Sequence, residues 1–593
     1  MKTDNRNRII KAYECILKKV TTRHGWLGNY EYGRLFTPRI PYLIHSKTTP
    51  PFLAHKEELP ILAAIIVGFQ HALAMMGGII TVPLILSGSG SNNLNLDDSY
   101  RTYMVSSALI ASGILSIIQI TGIKIGRTGY QLGTGLISVV GTSFTTLPVA
   151  QATFANIRRH GEYGCSEQGS CPNAFGAMLG TMMVCCWLEV AISFLPPKVL
   201  RRIFPPIVTG SVVILIGASL VSSGFQDWAG GSGTCYNYAR AVANLQSLGV
   251  QNISSFLPST MGVCPSSDYS YQKYPWGDAK WIGLGSIVFL TIIVIEIFGS
   301  PFMRTAEIMI GFLLGLLISS VLNYTNIESV QNAPAVTFLW TKTFPIRFYP
   351  PAVIPLLIVF VVLAIEAMGD VTASMEASQL PVQGLEANQR LQGGILSDGL
   401  NAFLGALMTT FPYSTFAQNN GVIAMTRCAN IWAGYWCCFF LILFGIFSKI
   451  SALFVAIPDA VLGGMTTFLF ANVVTSGIRI LCFVEWTRRS RFIVACTLTI
   501  GLGATLLPDW FSSVIPSSQN SALQGLIQGI NIIMSTGFCI GAFLAIFLHL
   551  ILPVDEECEK TSSNTQEKQS SSVENSFVIQ SLIDESVKSE LSI

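Results

Sequence analysis

Long apolar runs recur along most of this 593-residue chain and are separated by short polar hinges. A run of about 20 apolar residues is long enough to cross the hydrocarbon layer of a bilayer as a helix. Within that layer the protein must satisfy all of its own backbone hydrogen bonds, which a helix does without leaving an edge. We therefore predict an all-α polytopic membrane protein with about fourteen spans, several of them short or interrupted. The runs lie near 59–86, 103–122, 135–153, 174–195, 207–224, 280–298, 308–323, 352–373, 392–410, 417–426, 431–449, 457–482, 491–508 and 524–552.

Charged residues make up only 11% of the chain, whereas a soluble protein carries about 25%. The charges are concentrated in residues 1–58, in the last 40 residues and in the hinges between apolar runs. We expect 1–58 to be a cytoplasmic tail and 554–593 to be a disordered cytoplasmic tail. The N-terminal segment lacks the apolar core of a cleavable signal peptide. The formal net charge of +2 gives no indication of a nucleic-acid partner.

Basic residues occur in alternate hinges, and the hinges between them, including 225–279 and 324–350, have fewer. Hinges rich in Lys and Arg remain on the cytoplasmic side of a membrane, which places both termini there as well. Lys449 and the pair Arg158–Arg159 are exceptions to this pattern. The basic hinge residues are Lys124, Arg127, Lys198, Arg201, Arg202, Arg304, Arg390, Arg427, Arg488, Arg489 and Arg491.

Two polar loops on the predicted exterior hold features typical of an oxidising compartment. Most of the fourteen cysteines lie in apolar runs and are predicted to be packing residues. Four lie in the polar loops and are disulfide candidates, but the sequence leaves their pairing open. Asn252 and Asn323 begin N-glycosylation sequons, and Asn323 lies close to the predicted membrane boundary. The four loop cysteines are Cys165, Cys171, Cys235 and Cys264.

A weak internal repeat indicates two halves of opposite orientation. The pattern P-x-x-V-x-G occurs at 205–210 and again at 458–463. Arginines precede the first copy but follow the helix of the second, so the charge polarity is reversed. Such a reversal is typical of two inverted seven-span repeats. The Thr/Ser/Phe/Pro stretch at 142–148 in the third span is similarly echoed at 409–416, next to the tenth span.

These two echoing stretches predict a binding site. Where inverted halves each carry a broken span, the short segments can pair as β-strands at mid-membrane. Each following half-helix then directs its N-terminal amides at a bound solute. Phe144 and Ala417 would frame that site with main-chain N–H groups.

We single out three acidic residues and one histidine that lie within predicted spans. Glu366 and Asp370 are four residues apart and share one helix face, while Asp398 lies in the next span. A carboxylate at this depth is costly unless it serves a function or is paired. We interpret Glu366 as a solute ligand and Asp370 or Asp398 as a proton-coupling group; hydrogen bonding between helices is the structural alternative. His71, which follows Gln70, is more often a packing group than a proton carrier.

Gln418 gives the most specific indication of the solute. Its amide offers a donor and an acceptor in one plane, which matches the N–H/C=O edge of an imide or purine. Glu366 can accept a hydrogen bond from a second ring N–H, and Phe144 or Phe416 can stack on the ring face. Further residues that could line an access path are Arg491, Thr536 and Phe538.

The segment Gln418–Arg427 matches the Q-N-x-G-x-x-x-x-T-R signature of the nucleobase–ascorbate transporter family. Gln70–His71 and Ala364–Asp370 resemble two further motifs of that family, and the resemblance covers roughly residues 25–550. Together with Gly28–Pro38, the pattern is most similar to the fungal uric acid–xanthine permeases. The ascorbate branch has proline where Gln418 stands, and bacterial uracil carriers have glutamate.

The resemblance implies a proton symporter that imports xanthine and uric acid across the plasma membrane as a homodimer in lipid. It also implies a core domain formed by 59–200 and 351–450, which moves against a gate domain formed by 201–350 and 451–553. It implies no cofactor beyond the proton and no enzymatic activity. The residue roles that it implies are purine binding for Gln418, Glu366, Phe144 and Ala417, support for Asn419, Asp370, Asp398 and His71, and selectivity for Arg491, Thr536 and Phe538.

Two other functions remain open at this point. One is a carrier of another nucleobase or of an ascorbate-like anion, driven by sodium. The other is a purine sensor that binds without transport, with the C-terminal tail as its signalling element. A membrane enzyme is disfavoured, since the sequence contains no His/Cys metal motif, nucleophile elbow or phosphate loop.

Overall fold

The computed structural model describes residues 20–28, 30–38, 52–55, 57–90, 92–126, 129–166, 169–196, 199, 205–248, 263–264, 273–482, 484–516 and 520–553. Several predicted features lie outside these residues. They are the glycosylation candidate Asn252, the hinge residues Arg127, Lys198, Arg201 and Arg202, and the tail 554–593.

The described chain is dominated by helices. The first half contains α1 to α13, which span Arg23–Leu27, Tyr32–Phe36, Ile61–Ser87, Asp98–Thr121, Thr146–Arg159, Pro172–Cys185, Trp187–Ser193, Pro206–Trp228, Thr234–Ser247, Ala279–Phe298, Pro301–Thr305, Glu307–Val321 and Ile327–Asn332. The second half contains α14 to α22, which span Val353–Ala377, Leu385–Leu407, Gln418–Thr426, Ile431–Ile446, Ser448–Val455, Asp459–Leu481, Arg488–Leu506, Ser521–Ser535 and Gly537–Ile551. Six short strands, β1 to β6, span Ile123–Lys124, Gln131–Leu132, Val140–Thr142, Val263–Cys264, Tyr274–Pro275 and Tyr413–Thr415.

Seven helical segments of the described chain are long and apolar enough to cross a membrane, and two bent helix pairs raise the number to as many as nine. The remaining predicted runs form shorter helices, including α5 and α16, or a helix that carries charged residues, such as α20 with three arginines in its first turn. The chain is therefore an integral membrane protein with many apolar helices, and the number of fourteen spans stays a prediction. The seven segments are Ile61–Ser87, Asp98–Thr121, Pro172–Ser193, Pro206–Trp228, Ala279–Phe298, Pro350–Ala377 and Asp459–Leu481.

Two predicted spans are sharply bent. Helices α17 and α18 meet at an angle of 75°, and α21 and α22 meet at 86°. At the second bend, a β-carbon on Gly537 would collide with the side chain of Thr505 and the carbonyl of Gly501. The absence of a side chain therefore lets the start of α22 pack directly on the backbone of α20.

Helices α8 and α19, which begin with the two copies of the repeated motif, pack side by side in opposite directions. A β-carbon on Gly217 would lie 2.6–2.7 Å from atoms of Val474, and one on Gly224 would lie 2.8 Å from Thr467. Gly463 lies against the backbone of Trp228 in the same way. Along these contacts the residue numbers increase on α8 and decrease on α19, so the two helices are antiparallel. Two inverted halves would place equivalent helices in this manner.

The echoing polar stretches also meet, through a short pair of strands. Strand β3 pairs antiparallel with β6, with Val140 opposite Thr415, Gly141 opposite Ser414 and Thr142 opposite Tyr413. All six residues are buried. Buried strand edges need hydrogen-bond partners, and Ser116 supplies one by accepting from the backbone N–H of Val140.

Helix packing falls largely into two groups. One contains α3, α4, α7, α14, α15, α16 and α17 together with β3 and β6. The other contains α8, α10, α12, α19, α20 and α22. Contacts between the groups run mainly through α14 and α3 and through the strand-flanking helix α5. The paired strands thus lie in the first group, near its boundary with the second.

Candidate functional site

The site is organised by the ends of the two paired strands. Helix α5 follows β3 after its N-cap Thr145, and α16 follows β6 after its N-cap Ala417. In each half a phenylalanine, Phe144 or Phe416, stands two residues before the first helical residue. The two phenylalanine rings contact each other, so the two helix N-termini approach the same place. Helix N-termini carry unpaired N–H groups and a partial positive charge, and both favour an electron-rich solute.

Aromatic rings form one wall of this site. The rings of Phe144 and Phe416 are stacked with centroids 5.9 Å apart and an interplanar angle of 2°. Phe470 of α19 meets Phe144 edge to face at 5.7 Å. The Phe416 ring is accommodated because Gly78 and Gly141 present no side chains beneath it. These rings offer apolar faces on which a flat heterocycle can stack.

Glu366 is held at the start of α5. The Thr145 hydroxyl lies 2.8 Å and 2.9 Å from the two carboxylate oxygens and donates to them. A carboxylate near a helix N-terminus is stabilised by the helix dipole. Thr145 occupies one hydrogen-bonding direction of the carboxylate, and the other lone pairs are available to a solute N–H.

Three consecutive amides at the start of α16 have different roles. Asn419 donates to the backbone carbonyl of Ile137, in the segment before β3. Asn420 accepts a 2.6 Å hydrogen bond from Ser374, on the helix that carries Glu366. Gln418 is half-buried, and its side chain makes no hydrogen bond within the described part of the chain. Of the three side chains, Gln418 is the one left available to a ligand.

Asp398 and Asp370 lie behind this front layer. Asp398 is fully buried and accepts a 3.2 Å hydrogen bond from Thr415, which in turn accepts one of 3.1 Å from Gln119. Asp370 interacts electrostatically with both Glu366 and Asp398. The three predicted carboxylates therefore belong to one cluster next to β6.

His71 and Gln70 are buried on α3 but face different neighbours. The His71 ring faces the side chain of Asn419, although neither ring nitrogen makes a well-formed hydrogen bond to a described residue. Gln70 donates a 3.3 Å hydrogen bond to Thr305 of α11. His71 thus adjoins the support of the site, whereas Gln70 faces another part of the molecule.

The three predicted selectivity residues are dispersed. Arg491 is exposed near the start of α20. Thr536 and Phe538 are buried at the bend between α21 and α22, where Thr536 donates to the carbonyl of Ile532. Both of these helices contact α14, the helix of Glu366, whereas Arg491 is at the surface.

The loop predictions fall outside the site. The four loop cysteines form the disulfides Cys165–Cys171 and Cys235–Cys264, which resolves the pairing that the sequence left open. Asn323 is exposed, two residues beyond the end of α12. Tyr324 and Thr325, which complete its sequon, are buried. Its modification remains a prediction.

Several residues that contact the site were not singled out from the sequence. Thr145 and Phe470 look like ordinary helix and core residues, and only their spatial partners reveal them. Gln119 is a polar residue near the end of an apolar run, which is a weak signal. Glu189 is a clearer omission, because it is an acidic residue inside the predicted span 174–195. It lies in the same carboxylate cluster.

Apolar helices that enclose a polar, aromatic-walled site at broken helix ends are typical of membrane transporters. A model of the permease family that includes the xanthine and uric acid permeases matches residues 62–265 and 260–510. The chain therefore belongs to this permease family, whose members are transporters and not enzymes. The match confirms the resemblance to nucleobase–ascorbate transporters predicted from the sequence motifs.

Curated relatives are similar over nearly the whole chain. A purine permease of Emericella nidulans is 46% identical over 91% of this chain and 90% of its own length. A uric acid–xanthine permease of the same organism is 44% identical over 91% and 90%. A xanthine permease of Escherichia coli is 30% identical over 83% of this chain and 92% of its own.

Proposed function

We propose that this protein is a proton-coupled symporter that imports xanthine and uric acid across the plasma membrane. One observation carries the proposal. The Gln418 amide, which makes no hydrogen bond to the described residues, lies on a helix that contacts the helix of Glu366. Thr145 holds the Glu366 carboxylate, and the stacked rings of Phe144 and Phe416 lie beside both. The printed names of the relatives, which include purine, xanthine and uric acid permeases, support the same solute class.

The site chemistry is complementary to an oxidised purine. The Gln418 amide pairs with one N–H/C=O edge of the ring system, and Glu366 accepts a hydrogen bond from another ring N–H. Backbone N–H groups that follow Phe144 and Ala417 donate to ring carbonyls at the two helix starts. Phe144 packs on the ring face. A purine lacking one of these polar groups would leave a buried amide or carboxylate unpaired, which makes discrimination strong.

Transport follows from moving this site relative to the second helix group. The group that contains β3, β6 and α14 acts as the core domain and carries the purine. The group that contains α8 and α19 acts as the gate domain in a homodimer. The contact between Phe144 and Phe470 lies between these groups and supports an elevator-type motion there. Both termini lie in the cytoplasm.

The proton gradient drives transport through a proton that binds in the carboxylate cluster. Asp398 and Asp370 lie behind Glu366, and His71 faces Asn419 from the other side. Taking up one proton with each purine neutralises a buried charge, which lowers the electrostatic barrier to moving the core through the membrane.

Uptake by a host that lacks its own purine transporters tests the proposal. Radiolabelled xanthine is supplied with and without an excess of unlabelled urate, uracil or ascorbate, in the presence or absence of a protonophore and of sodium. We expect xanthine uptake that urate suppresses and a protonophore abolishes, with sodium irrelevant. Sodium-dependent uptake suppressed by ascorbate would instead identify an anion carrier. Purine binding without flux in vesicles would identify a sensor.

A further inference from the structure

Glu189 is a buried acid that the proposed binding site does not use. It lies on the short helix α7 and is fully buried. Neither of its carboxylate oxygens has a hydrogen-bond partner among the described residues. A buried carboxylate in this condition is strongly unfavourable as an anion, so its retention in an apolar span calls for a partner or a proton.

The helix that carries Asp398 packs directly on Glu189. A β-carbon on Gly399, the residue after Asp398, would lie 3.0 Å from the backbone nitrogen of Val190 and 3.2 Å from Cγ of Glu189. Helix α7 also packs against α14, the helix of Glu366. The titratable groups that face Glu189 are Asp398 on α15, Glu366 on α14 and Cys186 beside its own helix. No Lys or Arg side chain of the described chain faces it.

The unpaired atoms around Glu189 are all acceptors. Oδ2 of Asp398 has no partner in the described structure, and neither has Oδ1 of Asn401, three residues along the same helix. Residues three apart share a helix face, so these oxygens point to one side of α15. Both oxygens of Glu189 and Oδ2 of Asp398 therefore lack a donor, and a proton on one of these two carboxyl groups would supply one. A metal ion is a poor alternative, since no group of three potential ligands in the described residues could hold one.

The acid pair is connected to the binding site through one hydrogen bond. Oδ1 of Asp398 accepts from Thr415, the last residue of β6. Phe416 and Gln418 follow within three residues. A change of charge at Asp398 therefore acts on the strand that positions the purine-binding amide.

We propose that Glu189 and Asp398 together hold the transported proton. This inference rests on the proposed function and names the residues that couple it to the gradient. The pair binds one proton from the exterior as a carboxylate becomes a carboxylic acid, and it releases that proton to the cytoplasm after the purine. Glu366 then remains a purine ligand and not the proton carrier.

The variant Glu189→Gln tests this role, because glutamine keeps the shape of a protonated glutamate but cannot release a proton. We expect xanthine exchange between equilibrated pools to persist, since exchange needs no net proton movement. Proton-driven accumulation of xanthine falls at least about fivefold, and its pH dependence is lost. Glu307→Gln is the matched control: Glu307 is also a largely buried glutamate with an unpartnered oxygen, but it faces Glu296 and Arg304. It should retain the wild-type pH profile.

The outcomes separate the two proposals. If wild-type uptake is insensitive to a protonophore, the proposed function fails and the role of Glu189 fails with it. If wild-type uptake is proton-driven but Glu189→Gln accumulates xanthine with an unchanged pH profile, only the role of Glu189 is overturned. Should Glu189→Gln not reach the membrane, Glu189→Asp retains an acid at altered length and is expected to shift the pH profile. An unshifted profile there would also overturn the inference.

Discussion

The hydroxyl of Ser374 donates a 2.6 Å hydrogen bond to the side-chain carbonyl of Asn420. This bond joins the helix of Glu366 to the helix that begins with Gln418. The Asn420 amide nitrogen lies 3.5 Å from the backbone carbonyl of Asp370, which adds a second link. The spacing between acid and amide at the proposed site is therefore set by groups that need not touch the solute.

The variant Ser374→Ala should weaken solute binding without removing any proposed ligand. It leaves the buried carbonyl of Asn420 unpaired, which costs about 1–3 kcal/mol of stability. It also removes one of the two links that fix Gln418 relative to Glu366, so KM for xanthine should rise. Concentration-dependent xanthine uptake, normalised to surface protein, measures the effect. Ser286→Ala is a suitable control, because the Ser286 hydroxyl donates only to the carbonyl of Ile282 one turn earlier. A wild-type KM in Ser374→Ala would argue against this link.

Replacing Gln418 or Glu366 by alanine should lower xanthine uptake to background while the protein still reaches the cell surface. Each change leaves one polar edge of the purine unpaired in a buried site, so a loss of at least about 100-fold is expected. Gln392→Ala is the control, since Gln392 donates to the carbonyl of Leu195 away from the site. Uptake at the wild-type rate in either site variant would refute the proposed binding mode.

Thr145→Val keeps the shape of the side chain but removes the donor to Glu366. Hydrogen bonds to charged groups are worth about 1.5–3 kcal/mol, so KM for xanthine should rise by about tenfold or more. Thr145→Ser restores the hydroxyl and should restore much of the binding. Equal KM values in the valine and serine variants would show that the hydroxyl does not position Glu366.

Gly141→Ala should disrupt the aromatic wall. A β-carbon at this position would collide with the Phe416 ring, and the strand pair leaves the ring little space to move. We expect uptake to fall at least about tenfold, with a lower melting temperature in detergent, as overpacking typically costs about 1–3 kcal/mol. Gly283→Ala, where a β-carbon meets nothing within 4 Å, should be neutral or slightly stabilising. A functional Gly141→Ala would show that Phe416 has an alternative position.

The disulfide Cys235–Cys264 closes a separation of 29 residues. Loop-closure entropy for a loop of this size gives a stabilisation of about 3.6 kcal/mol. Cys235→Ser, Cys264→Ser and the double variant should all lower the melting temperature by the same amount, because each removes the same bond. Cys482→Ser is the control, because Cys482 is an exposed cysteine that forms no disulfide. Additive losses in the double variant would mean that the two cysteines act separately.

The features that were predictable from the sequence are those encoded locally. The amide triplet at 418–420 stands out because polar side chains are rare in apolar runs, and the echo of 142–148 at 409–416 led to the pairing of β3 with β6. The roles within the triplet were less accessible. Asn419 and Asn420 form hydrogen bonds with Ile137 and Ser374. These partners are distant in sequence, so a local sequence pattern does not predict them.

The features that were missed depend on contacts between distant segments. The bend before Gly537 coincides with close packing on Gly501, a contact that the single predicted run 524–552 did not reveal. Glu189 lies on a short helix that packs against Gly399 of α15, and this contact between distant segments buries the Glu189 side chain. Phe470 is one of many phenylalanines, and only its approach to Phe144 distinguishes it.

The glycines of α8 and α19 let the two helices pack closely, because backbone atoms and short side chains of the facing helix fill the space that a β-carbon would need. Sliding along such an interface would bring a larger side chain into the place of each glycine, so close packing opposes relative movement of α8 and α19. Shear is easier where ring edges pass over ring faces, because no hydrogen bond has to break. Phe470 extends from α19 to Phe144, so the proposed movement of the core against the gate would pass through this ring contact.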